Sequence, residues 1–87
     1  MALNVLLVDD EYLVLKGLEI ILSEQTETSV KIVTAMDVED ALNKLTSFRP
    51  DVIITDINMP ESNGFELIKQ AQQNFPHCRF IICSGYD

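Results

Sequence analysis

With 87 residues the chain has room for one domain at most, and 47% apolar residues place it among globular rather than disordered proteins. Fourteen acidic residues against six basic ones give a net charge of −8 at pH 7, which argues against direct nucleic acid binding by this segment or a grip on an anionic membrane. No signal peptide and no membrane span fits the sequence. Cys78 and Cys83 match no common zinc spacing; free thiols suit a reducing cytosol, so a cytoplasmic location is expected.

The first segment, Leu3 to Val8, is a nearly continuous apolar run of the kind found in strands buried on both faces. It stops at Asp9-Asp10-Glu11. A helix follows from about Tyr12 to Ser23, with Val14, Leu18 and Ile21 on one face and Leu15 and Leu22 widening the stripe. Gly17 inside it costs about 1 kcal/mol against alanine, which predicts close packing there. Glu24 to Ser29 is a polar loop, and Val30 to Ala35 a half-exposed strand. Asp37 is placed to cap a second helix carrying Val38, Ala41, Leu42 and Leu45 at i, i+3, i+4 and i+7. Arg49-Pro50-Asp51 closes that region, because proline cannot continue a helix.

Val52 to Thr55 is a third apolar strand, and it too ends on a carboxylate, Asp56. After the loop Ile57–Asn63, Asn63 and Glu66 can form a capping box for a third helix that buries Ile68, Ala71 and Phe75. Pro76 ends it, and His77 is expected in a surface loop. Arg79 to Cys83 is a fourth strand, with Cys83 expected as a buried free thiol. Strands alternating with helices predict a parallel sheet. Ligands of such sheets bind beyond the carboxyl ends of the strands, where strand order reverses.

Two strands therefore end in aspartate, one of them in a pair. If they are neighbours, Asp9, Asp10 and Asp56 converge. Carboxylates about 5 Å apart repel by roughly 3 kcal/mol per pair at an effective dielectric near 20. Such a cluster persists if a cation sits in it or a proton is taken up. All-oxygen donors call for a hard cation, and Mg²⁺ typically takes one or two carboxylates, several waters and phosphate oxygens. The blander alternative, helix capping by Asp9 and Asp10 with Asp56 facing solvent, leaves the convergence unexplained.

VLLVDDE (Val5–Glu11), DVIITDINMPESNG (Asp51–Gly64) and FIICSG (Phe80–Gly85), in this order and spacing, resemble the receiver domain of two-component response regulators. The resemblance covers the whole chain, residues 1–87, with no effector domain. It implies an α/β, flavodoxin-like, doubly wound parallel sheet of the CheY-like kind, in the order 2-1-3-4. The family's fifth strand and last two helices, with a phosphate-binding lysine on that strand, are not found. It further implies that Asp56 is the phosphoacceptor and that Asp10 binds Mg²⁺ directly, Asp9 directly or through water. Asn58 would offer the metal its backbone carbonyl; Ser84 would be the switch hydroxyl contacting the phosphoryl group, with Gly85 the small residue beside it.

The implied function is acceptance of a phosphoryl group from a histidine kinase or phosphotransfer protein. It would control an output domain outside this chain, with transcription the output hinted at by the SGYD ending. The chain is then a signalling module rather than an enzyme, with slow autodephosphorylation at most. Two other readings compete. A haloacid-dehalogenase-like phosphatase would need a second aspartate where Asn58 stands; a binding module with this fold but no phosphotransfer would not need the lysine. An open fourth strand and uncovered sheet faces also predict a homo-oligomer, most simply a two-fold dimer.

Overall fold

The computed structural model describes residues 2–25, 29–56 and 64–83. Their elements follow in the order β1 (Ala2–Val8), α1 (Tyr12–Gln25), β2 (Ser29–Ala35), α2 (Val38–Lys44), β3 (Val52–Thr55), α3 (Gly64–Asn74) and β4 (Arg79–Ile82). The four strands form one sheet in the order β2-β1-β3-β4, and every pairing is parallel. The expected α/β fold and strand order are therefore observed.

The central strand explains its own composition. Leu6 and Leu7 point to opposite faces, and both are completely buried. On one face Val5, Leu7 and Leu15 form a core with Leu18, Leu22 and Ile54 packed against it. On the other, Leu6, Val8 and Ile53 meet Val38 and Ala41 of α2 and Leu67 and Ala71 of α3. One helix thus covers one face, and two cover the other. The two core faces are what a strand buried on both sides requires.

Local signals set the helix starts. In α1 the Glu11 carbonyl accepts the first helical bonds, from the amides of Val14 (3.1 Å) and Leu15 (3.2 Å). In α2 Asp37 is extended, and its side chain accepts from the Asp40 amide at 2.7 Å, as its N-cap chemistry predicts. Lys44 ends α2, pairing with Asp40 at 3.1 Å and donating to the Thr34 carbonyl. Asn63, expected to cap α3, lies outside the described residues.

Four sequence expectations are corrected. The buried stripe of α1 is Leu15, Leu18 and Leu22, whereas Val14 and Ile21 are 39% and 54% exposed. Its apolar arc is wider than the sheet it covers, so composition alone does not fix the phase. Gly17 marks no close packing, since a Cβ there would meet nothing within 4 Å. On α3 Ala71 is buried as expected, but the core also takes Leu67, which is fully buried, and leaves Ile68 and Phe75 only half-buried. Cys83 is exposed rather than buried, because among the described residues β4 pairs only with β3, and Ile81 and Ile82 before it are themselves about half exposed. His77 is exposed, as expected.

Candidate functional site

β1 and β3 are adjacent, with Val8 in register with Thr55. The next residue on each strand is an aspartate. The Asp56 amide donates to the Val8 carbonyl at 3.1 Å, and the Asp9 amide to the Ala35 carbonyl at the same distance. These last rungs hold both backbones at the sheet's carboxyl edge. The Thr55 side chain is completely buried just below, its hydroxyl donating to the Asp56 carbonyl at 3.3 Å.

Asp9, Asp10 and Asp56 each bring a carboxylate oxygen to within 4.8 Å of the others. Asp9 is buried, Asp56 half-buried and Asp10 exposed, so the cluster opens to solvent from a buried floor. Asp9 Oδ1 accepts from the Glu11 amide at 2.9 Å, which fixes its carboxylate at the turn into α1. Burial pushes the Asp9 carboxyl above its ordinary value. The Glu11 amide opposes that rise, while the charges of Asp56, Asp10 and Glu11 add to it. Asp9 has thus given up solvent for a place among like charges, which favours binding of a cation or a proton. The donors are all oxygen, which suits a hard divalent ion.

The register that builds the cluster is fixed at the other end of the strands. Asn4 on β1 donates its amide to Asp51 Oδ2 (2.8 Å) and its side-chain nitrogen to the Arg49 carbonyl (2.9 Å). Its own carbonyl accepts from the Asp51 amide at 2.7 Å, and Asp51 passes the ladder on to the Arg79 amide at 3.0 Å. Asn4 and Asp51 are positioning residues that the sequence did not reveal. An isolated asparagine in an apolar strand and an aspartate after a proline both read as solvent-facing. Asn58, Ser84 and Gly85 lie outside the described residues.

A parallel sheet in the order 2-1-3-4, with an acidic cluster at the switch between its first and third strands, defines a doubly wound α/β domain with a candidate site at its switch point. The family model of the response regulator receiver domain matches residues 5–87, and the chain belongs to that family. It is 32% identical over 85 residues to the transcriptional regulatory protein DegU of Brevibacillus brevis, covering 98% of this chain but 36% of that protein. It therefore spans about a third of that relative. The chemotaxis response regulator CheY4 of Vibrio cholerae superposes with a TM-score of 0.80 at 31% identity, over 94% of this chain and 68% of that one. The response regulator TrrA of Thermotoga maritima, in complex with Mg²⁺ and BeF, superposes with 0.84 at 30% identity, over 98% and 71%.

Proposed function

We propose that this domain accepts a phosphoryl group on Asp56 in a Mg²⁺-dependent reaction with a histidine kinase or phosphotransfer protein, and so controls an output domain beyond these 87 residues. The observation that carries it is the convergence of Asp9, Asp10 and Asp56 from the ends of adjacent strands. An Asp56 carboxylate oxygen attacks phosphorus, the P–N bond of the phosphohistidine breaks, and the imidazole leaves with the electron pair and picks up a proton. Bound Mg²⁺ would neutralise charge between nucleophile and phosphoryl oxygens. Asp10 would hold it directly, and Asp9 directly or through water, with the Asn58 carbonyl as a further donor. The Ser84 hydroxyl would contact the phosphoryl group, with Gly85 the small residue beside it. These individual roles rest on the resemblance.

A protein donor is supported by the apolar side chains at the same edge. Tyr12, Met36 and Phe65, on the segments that leave β1, β2 and the loop after β3, are 57%, 43% and 60% exposed. The domain acts as a switch rather than a turnover enzyme, and transcription is the output favoured by relatives such as DegU. Among the described residues no helix is long and apolar enough to cross a membrane; we place the domain in the cytoplasm, with no direct nucleic acid binding of its own. The open β4 edge and the exposed side of α1 support a homo-oligomer of this chain.

Acetyl phosphate or a cognate kinase with Mg²⁺, followed by peptide mass spectrometry, tests the assignment. Asp56 alone should gain a phosphoryl group, and Asp56→Asn should gain none. Asp10→Asn should weaken Mg²⁺ binding at least tenfold, an estimate of about 1.4 kcal/mol for one lost ligand. Modification at another residue, or undiminished labelling of Asp56→Asn, would overturn the proposal.

A further inference from the structure

Thr55 is a polar side chain in an apolar place. It ends β3, whose sequence is Val-Ile-Ile-Thr, and it is completely buried. Ile53, two residues back and therefore on the same face, packs in the core beneath α2 and α3. Across the sheet Thr55 is in register with Val8 on one side and Ile82 on the other. Val8 belongs to that same core.

Strand propensity does not explain a threonine at this position. Valine has nearly the same shape, is also a strand former and carries no group that needs a partner. A hydroxyl taken out of water costs stability unless it is hydrogen-bonded. Among the described residues the Thr55 hydroxyl bonds the Asp56 carbonyl, at 3.3 Å, which is longer than a good O–H···O bond. The contact therefore returns less than a short bond would. Valine would serve the core better, so the reason for the hydroxyl lies in what it holds.

It holds the peptide that follows Asp56. That residue lies just beyond β3. Its amide donates to the Val8 carbonyl at 3.1 Å, which orients the peptide before it. The peptide after it leads out of the sheet, and the Thr55 hydroxyl bonds its carbonyl. With both flanking peptides oriented, the Cα–Cβ bond of Asp56 is directed toward Asp9 and Asp10, where the three carboxylates meet. The restraint is stiffer than the length of the bond suggests. If the Asp56 carbonyl turned away, the hydroxyl would be left buried without a partner, and that penalty exceeds the net worth of the bond itself.

We infer that Thr55 is a positioning residue: its buried hydroxyl aims the Asp56 carboxylate into the acidic cluster, and it does so at a cost in stability. The inference rests on the reading of Asp56 as phosphoacceptor and metal ligand, and adds how that carboxylate is held in place. Thr55 itself acts through the Asp56 backbone and touches neither ion nor phosphoryl group.

Two substitutions separate the hydroxyl from the methyl group. Thr55→Val keeps the shape and removes the hydroxyl; Thr55→Ser keeps the hydroxyl and removes a buried methyl. In metal-free buffer Thr55→Val should melt no lower than the parent, yet it should bind Mg²⁺ about fivefold more weakly by titration calorimetry, the equivalent of one hydrogen bond. Thr55→Ser should do the reverse, melting lower while keeping the parent's affinity. With acetyl phosphate, labelling of Asp56 should slow in Thr55→Val and not in Thr55→Ser. Unchanged Mg²⁺ affinity in Thr55→Val, or affinity lost together with stability in either variant, would overturn the role of Thr55; the serine variant decides this even if the valine variant misfolds. A parent that binds Mg²⁺ but takes no label on Asp56 would overturn the phosphoacceptor reading, while the titrations still decide the role of Thr55. A parent that binds no Mg²⁺ would overturn both.

Discussion

Asp9 is the most buried of the three clustered carboxylates, and its ionised form is disfavoured in the fold. Its folded pKa lies above the unfolded value, raised chiefly by burial. The contribution of this group to stability is therefore complete below the unfolded carboxylate pKa and is lost as pH rises through the folded one. In metal-free buffer Asp9→Asn should melt at a higher temperature than the parent at pH 7, and the gap should close as pH falls below about 4. Saturating Mg²⁺ should raise the parent's melting temperature and do little for the variant. At about 100 times its Kd a ligand adds roughly 2.7 kcal/mol, and each kcal/mol is worth about 4–8 °C for a domain of this size. Thermal melts with and without Mg²⁺ across pH check both statements. The thiols make a second comparison. Burial, and then the Asp51 carboxylate, push the Cys78 thiol up, whereas Cys83 is exposed. The thiolate is the reactive form, so iodoacetamide at pH 8 should modify Cys83 well before Cys78, as read by peptide mass.

Among the elements, α2 was the most legible. Its cap and its apolar spacing each have a local cause that the structure reproduces, although the helix ends at Lys44, ahead of the stop expected at Pro50. Asp37→Ala should cost about 1 kcal/mol in urea denaturation, through the cap alone. The helices α1 and α3 were legible as helices, but their phases were not. In α1 an apolar arc running from Ile20 round to Leu15 offers several equivalent faces, and only the sheet decides which is buried. In α3, Leu67 and Ile68 are neighbours of similar hydrophobicity; the core takes Leu67, at 0% exposure. Leu67→Ala should cost about 2–5 kcal/mol by cavity formation, against a smaller loss for half-buried Ile68→Ala. Cys83 was misjudged because an apolar run implies burial only when a neighbour covers it, and strand neighbours are a property of the whole sheet.

At the scale of the molecule, the acidic cluster was readable because β1 and β3 each end in a change from apolar to acidic residues. Adjacency of β1 and β3 then does the rest. What remained hidden was the fixing of register from the far end. Asn4 and Asp51 clasp β1 to β3 through reciprocal bonds of 2.7 and 2.8 Å, and their meeting is a matter of tertiary structure 47 residues apart. Asn4→Ala removes the side-chain bond to the Arg49 carbonyl and should cost about 1 kcal/mol. It should also weaken Mg²⁺ binding at the opposite edge several-fold, as measured by titration calorimetry. Unchanged affinity in a destabilised variant would separate register from metal binding.

The central position of the cluster also has a consequence in time. All three carboxylates belong to the ends of β1 and β3, the two inner strands. The strands that fray first in a sheet are its margins, and here those are β2 and β4. Amide hydrogens of β4 should exchange with deuterium fastest among the strands, and those of Leu6, Leu7 and Ile53 slowest, near the global unfolding rate. Opening of β4 breaks the bond from the Cys83 amide to the Thr55 carbonyl but moves neither partner strand of the site. Mg²⁺ should therefore slow exchange in β1 and β3 far more than in β4, so that the ion is retained through the commonest partial openings and released chiefly by those that part the inner pair.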